Sequence, residues 1–180
     1  KMLLALLAVV FLALPQSLCA QFNWKYTVEK GKIVTEVPKR APGQTTALEL
    51  RTPKMPVVRV GFVGLGMRGP GAVVRWMHIP GIEVVALCDY EAKRAEACQK
   101  ILRENSMPAA AIYSGEEGYK ELCKRKDIDL VYIATDWDHH FLVAKCAMEN
   151  GKHAAIEVPS AINLREIWTL IDLSEKTRLH

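Results

Sequence analysis

Val57-Val58-Arg59-Val60-Gly61-Phe62-Val63 runs straight into Gly64-Leu65-Gly66-Met67-Arg68-Gly69, and Pro70 follows. The first seven residues are a mostly apolar, β-branched run, which reads as a buried strand. The Gly-x-Gly-x-x-Gly after it is a weak signal alone. Placed between an apolar strand and the opening of a helix, it reads as the turn that cradles a dinucleotide's phosphates. Each glycine meets a separate demand. Gly64 permits the tight turn, Gly66 lets a pyrophosphate approach the backbone with no Cβ in the way, and Gly69 lets the helix pack close to the strand. Pro70 suits a first helical turn because its missing N–H would have no partner there. The helix start then offers unpaired N–H groups and partial positive charge, and Arg68 could add a second positive charge.

Working outward, strands and helices alternate. Helices are expected over about 70–78, 91–104 and 139–149, the last ending at Asn150-Gly151, a C-cap signal. Strands are expected at 83–88, 111–113, 129–134 and 153–157. Ser114 and Glu117 have capping-box spacing ahead of another helix. Asn163 is expected to cap a final helix with a stripe of Leu164, Ile167, Trp168 and Ile171. Ala95, Cys98, Ile101 and Leu102 share one face of the second helix. This order implies an α/β fold, a Rossmann-type doubly wound parallel sheet with right-handed crossovers. The sequence reaches His180 where a further strand is expected.

Ligands of such sheets bind outside the carboxyl ends of the strands, which selects the remaining candidates. Asp89 ends the second strand, twenty positions after Gly69. A carboxylate there accepts from adenosine ribose hydroxyls and repels a 2′-phosphate, favouring NAD over NADP; a strand-end Asp capping the next helix is the alternative. Thr135-Asp136-Trp137-Asp138-His139-His140 follows the fourth strand. Thr135 or Asp136 could cap the next helix, and Trp137 could pack on the cofactor. His139 and His140, about 100° apart on a helix, cannot both face one site, and each also reads as a capping or surface histidine. Glu157-Val158-Pro159 follows the fifth strand. Glu157 is placed to orient the nicotinamide ribose or carboxamide, unless it is merely a solvated strand end.

The totals exclude several classes. Half of the 180 residues are apolar and 24% are charged, as in globular proteins. The net charge of +4 is spread along the chain, with no basic run interleaved with aromatics, so nucleic acid is not an expected partner. No Cys/His spacing suits zinc, and no metal is expected. Of the five cysteines, Cys88, Cys98, Cys123 and Cys146 read as small apolar-face residues.

Lys1, the apolar run Met2–Leu14 and the Ser17-Leu18-Cys19-Ala20 end read as an export signal over residues 1–20, cleaved after Ala20. The apolar run is short for a membrane span. Cys19 leaves a lipid anchor open, although Leu18 is bulky for that processing. A periplasmic or secreted location is therefore expected. Residues 21–56 read as an irregular N-terminal arm. Within it Trp24–Val28 and Ile33–Val37 flank Lys30-Gly31 as a small hairpin, and four prolines between 38 and 56 oppose regular structure. Residues 57–180 form the dinucleotide-binding domain in this reading.

Taken together, these residues resemble the glucose–fructose oxidoreductase and inositol dehydrogenase superfamily. In that family a C-terminal α/β substrate domain follows the Rossmann domain, and the resemblance implies that such a domain is missing here. Two departures are informative: Val158 stands where the usual Glu-Lys-Pro motif has Lys, and the usual Thr-Pro-Asn-x-x-His retains only Thr135 and His140. Arg59 to Val73, the Asp129 to His140 stretch and Glu157-Val158-Pro159 are similar to glycosyl hydrolase family 109. That resemblance implies an NAD-dependent α-N-acetylgalactosaminidase acting by transient C3 oxidation of the sugar, elimination and water addition. It also implies that Met67, Arg68, Asp89, Trp137, Asp138, His139, His140, Glu157 and Val158 contact NAD. The implied substrate is a glycan containing N-acetylgalactosamine. No catalytic base is assigned. A conventional NAD-dependent sugar dehydrogenase and a non-catalytic NAD-binding module remain as alternatives, and a homo-oligomer is left open.

Overall fold

A computed structural model describes residues 26–180. The export signal read in residues 1–20, the lipid-anchor alternative at Cys19, and Trp24 and Lys25 of the expected hairpin lie outside the described residues. The chain divides into two units, one ending at Pro38 and one spanning Lys39–His180.

In the first unit, β1 (Tyr26–Glu29) and β2 (Lys32–Thr35) form an antiparallel hairpin. Lys30 and Gly31 both adopt positive φ, 50° and 75°, at the two central turn positions. That is the geometry whose twist matches flanking strands.

The second unit is a five-stranded sheet in the order β5-β4-β3-β6-β7. Its strands are β3 (Val58–Val63), β4 (Ile82–Asp89), β5 (Ala111–Ser114), β6 (Leu130–Ile133) and β7 (His153–Ile156). Every pairing is parallel. The helices are α1 (Gly69–Trp76), α2 (Ala92–Glu104), α3 (Gly118–Lys124), α4 (Trp137–Glu149) and α5 (Leu164–Thr177). Strand alternation feeds two cores, one on each face. Val60, Phe62, Leu87 and Tyr132 pack against Ala72 and Val73 of α1, Met77 at its C-cap, and Ala95, Cys98 and Leu102 of α2. Val63, Ala86, Val131 and Ile133 pack against Leu122 and Cys123 of α3 and Val143, Ala144 and Ala147 of α4. Each fully buried Val, Leu, Ile or Phe side chain among them contributes about 1.5–3 kcal/mol. Central β3 must be thin on the second face: a Cβ on Gly61 would stand 2.9 Å from Leu122.

Residues 39–56 form no helix or strand, yet they are tied to α5. The Arg40 guanidinium donates to both oxygens of Glu175, from Nε at 2.7 Å and Nη2 at 2.8 Å. Gln44 donates to Glu175 at 3.0 Å and to Asp172 at 3.1 Å, and the Ala47 N–H donates to Glu175 at 3.3 Å. Arg178 donates to Thr45 and Thr46. Glu175 is the buried residue of α5, and these donors hold its carboxyl at about 2, the Arg40 hydrogen bond being the largest cause.

Two local expectations need correction. Ser114 and Glu117 form no capping box: α3 starts at Gly118 with no side-chain cap. Ser114 is instead the last residue of β5, paired with Asp89, and Gly115 makes the turn at φ 81°. In α5, Asn163 caps as expected, accepting from the Glu166 N–H at 3.0 Å. Of the stripe, Leu164, Trp168 and Ile171 are half-buried, but one member departs. Ile167 is exposed, and Leu170 is the residue packed on the second core.

Candidate dinucleotide-binding site

A cleft of about 1110 Å³ opens at the carboxyl ends of the strands. It is walled by Gly64, Gly66, Met67 and Arg68 after β3, by Asp89 after β4, by Thr135, Trp137, Asp138, His139 and His140 after β6, and by Glu157 and Val158 after β7. Twelve of the thirteen expected site residues thus meet on one cavity. Gly69 lies behind it, closing the turn. Met67 and Val158 are 94% and 83% exposed. Large apolar side chains left open beside a concave surface mark a contact site.

The three glycines divide the work. Gly64 sits at φ 89°, and a Cβ there would stand 2.4 Å from the Thr135 backbone nitrogen. On Gly69 a Cβ would stand 2.1 Å from the Gly64 carbonyl oxygen. On Gly66 the nearest atom would be Nη1 of Arg94 at 3.5 Å, the end of a flexible side chain. Two of them are therefore required by the fold, while Gly66 keeps open the space in front of the helix start. α1 has no side-chain N-cap and no acidic residue in its first turn, so nothing on the helix competes with a phosphate.

Asp89, 5% exposed, holds the loop in place. Its Oδ2 accepts from the Leu65 N–H at 2.6 Å and its Oδ1 from the Glu91 N–H at 2.9 Å. Arg94 lies 3.5 Å from Oδ1 and pairs with Glu91 at 2.7 Å. A carboxylate has about four acceptor sites, so capacity for a ribose hydroxyl remains. The capping alternative fails in detail: the N-cap of α2 is Glu91.

After β6, Asp136 is the residue that caps α4, accepting from the His139 N–H at 3.1 Å and contacting His139 Nδ1 at 2.7 Å. Partial burial pushes its carboxyl up, but the His139 contacts outweigh that and hold it below its ordinary value. His139 is exposed and His140 is buried, yet both line the same cleft, against the expectation that they could not face one site. The His140 ring bridges the two loops, its Nδ1 2.7 Å from the Pro159 carbonyl and its Nε2 3.1 Å from the Thr135 carbonyl. Its visible work is to pin one loop to the other. Trp137 stands 64% exposed on the rim. Glu157 is fixed by its N–H to the Ile133 carbonyl at 2.9 Å, and its side chain accepts from the Tyr132 hydroxyl at 2.5 Å. Burial first, then the Glu157 contact, pushes the Tyr132 phenol up to about 12.

Sequence reasoning missed the far wall, formed by Tyr90, Arg94, Glu116 and Tyr119. The rule that strand carboxyl ends line the site would have flagged Tyr90 and Glu116, just past β4 and β5. Tyr132 carried no motif signal, since it reads as one apolar residue in a central strand. A smaller cavity of about 420 Å³ lies at the amino ends of β4 and β5, beside Ile82, Glu83 and Ala111. Among the described residues no cluster of three His, Cys, Asp or Glu could hold a metal, and no helix is long and apolar enough to cross a membrane.

Comparison with known proteins agrees with this geometry. Residues 58–179 match the family described as "Oxidoreductase family, NAD-binding Rossmann fold". Glycosyl hydrolase family 109 protein 5 of Phocaeicola vulgatus is 67% identical over 94% of this chain. Glycosyl hydrolase family 109 protein 1 of Bacteroides fragilis is 62% identical over 82%. The chain spans about a third of the length of these curated relatives, 33% and 32%. Among solved structures, the myo-inositol dehydrogenase of Lactobacillus casei in complex with NAD(H) and myo-inositol is 28% identical with a TM-score of 0.58, covering 66% of this chain and 33% of that one. The open Gly66 turn, the uncapped helix start and the Asp89 carboxylate are the donor and acceptor set that NAD requires. The chain therefore belongs to the NAD-binding Rossmann-fold oxidoreductase family, and NAD is its cofactor.

Proposed function

We propose that this chain supplies the NAD-binding part of an NAD-dependent glycosidase acting on glycans that contain N-acetylgalactosamine. Bound NAD would supply reversible hydride acceptance from a sugar carbon, which makes the neighbouring C–H acidic enough for elimination. The residues present hold and orient the cofactor: the α1 start and Arg68 face the phosphates, Asp89 the adenosine ribose, and Glu157 the nicotinamide half. Trp137 and Met67 cover it.

One observation carries the reading. Val158 occupies the rim position after β7, fully presented to the cleft at 83% exposure, where the resemblance leads one to expect a proton-transferring lysine. A valine there can move no proton, so net dehydrogenation through that position is disfavoured. The names of the relatives, glycosyl hydrolase family 109 proteins at 62–67% identity, support the same reading. The test is an aryl α-N-acetylgalactosaminide offered to the product of the complete reading frame, with NADH absorbance followed alongside. Hydrolysis without net NADH is expected. Net NADH with sugar and no hydrolysis would instead establish a conventional sugar dehydrogenase.

Export is a further part of the proposal, supported by Lys1, the apolar run Met2–Leu14 and the small residues up to Ala20. N-terminal sequencing of the mature protein tests it. A start at Gln21 is expected, and retention of residues 1–20 would overturn it.

A further inference from the structure

Glu157 has its backbone fixed at the carboxyl end of β6, but a glutamate side chain has three rotatable bonds and would sweep a wide arc if left free. Here it does not. Its Oε1 accepts from the Tyr132 hydroxyl at 2.5 Å. The Tyr132 ring cannot move to follow it. It is 8% exposed and wedged between Phe62, with centroids 5.2 Å apart, and Trp76, 5.1 Å away. Trp76 belongs to α1, so the helix itself braces the ring. A chain of contacts thus runs from Trp76 of α1 through Tyr132 of β6 to the loop after β7. With one phenol donor satisfied, the carboxylate keeps further acceptor sites for donors entering from the cleft. The donors carried by the nicotinamide half of NAD are its ribose hydroxyls and its carboxamide.

We propose that Tyr132 is a positioning residue that holds the Glu157 carboxylate in the orientation that receives the nicotinamide half of NAD. This rests on the placement of Glu157 given under the proposed function. Tyr132 itself touches no cofactor in this account. Its hydroxyl removes the conformational freedom that binding would otherwise have to quench.

The experiment is calorimetric titration of the chain with NAD and, separately, with ADP, which shares the adenosine and diphosphate but lacks the nicotinamide half. Tyr132→Phe keeps the ring packing and deletes only the hydroxyl. It is expected to weaken NAD about tenfold, a step of about 1.4 kcal/mol, and to leave ADP unchanged. Glu157→Asp, which keeps the charge but is too short to reach the phenol, is expected to lose NAD to the same degree, with no added loss in the double variant. Equal weakening of NAD and ADP by Tyr132→Phe would show a merely structural role and overturn the proposal. Unchanged NAD affinity in Tyr132→Phe or Glu157→Asp, while Glu157→Gln is weakened, would overturn it and leave the site reading intact. Failure of the parent chain to bind NAD at all would instead overturn the site reading.

Discussion

Replacing each glycine of the turn by alanine in turn separates fold from binding. At Gly64 two costs combine. An alanine held at φ 89° is strained by about 1–3 kcal/mol. Its methyl would also stand 2.4–2.6 Å from backbone atoms of Ala134 and Thr135, which cannot rotate away, and overpacking of this kind costs a further ~1–3 kcal/mol. The total of about 2–6 kcal/mol is a large share of the ~5–15 kcal/mol that stabilises a domain. At about 2–4 °C per kcal/mol for a chain of this size, the melting temperature should fall on the order of 10 °C. Gly69→Ala meets the Gly64 carbonyl oxygen at 2.1 Å and belongs to the same class. Gly66→Ala does not. Its methyl would meet only the tip of Arg94 at 3.5 Å, so stability should stay within about 0.5 kcal/mol. NAD affinity should nevertheless drop at least about tenfold, because the methyl takes the space for the pyrophosphate. Calorimetric melting and NAD titration of the three variants check this. If Gly66→Ala melts as early as Gly64→Ala, or binds NAD as tightly as the parent, the assignment of roles within the turn is refuted.

Asp89→Ala removes the acceptor for the buried Leu65 N–H as well as the proposed ribose contact. Both melting temperature and NAD affinity should fall, each by about 1–3 kcal/mol, and a loss of one without the other would contradict the double role. The Glu175 carboxyl is held at about 2 against its ordinary 4.5. That stabilisation is complete above about 4.5 and is lost as pH falls toward 2. The melting temperature should therefore decline across that window, and Glu175→Gln should decline less steeply. Cys146 is pulled toward the thiolate, chiefly by its hydrogen bond with Cys123, with Lys120 and Lys145 nearby. Burial pushes Cys88 up to about 12 and Cys98 up to about 11. Iodoacetamide at neutral pH should therefore label Cys146 first, as mass mapping of the peptides would show, and equal labelling of Cys98 would contradict the account.

Features carried by periodicity or by local chain geometry were legible from the residues. Val57–Val63 and Asp129–Ala134 gave strands within a residue of those observed, because a central parallel strand is apolar on both faces. The glycine turn was legible because a positive φ and a 2 Å approach admit no other residue. Ser114 misled, since its capping-box spacing holds only if the residue has left its strand. Gly115, directly after it, was the sign that the turn comes later. Ile167 misled because stripe counting fixes a helix's apolar face but not which neighbour covers it. The Arg40–Glu175 pairing, 135 residues apart in sequence, and the Tyr132–Glu157 contact were illegible. Such polar contacts leave no period in the sequence, and only the folded sheet brings their partners together.

The anchoring of residues 39–56 bears on how small this domain can be made. Cutting the chain back to β3 looks harmless, since all five strands and five helices of the second unit would remain. The cut would strip the last helix of Arg40, Gln44 and the Ala47 amide at one stroke, leaving the Glu175 carboxylate without these donors. A trimmed version should accordingly lose the acid-side decline in melting temperature that the parent shows, and a neutral residue at position 175 should then change that profile little.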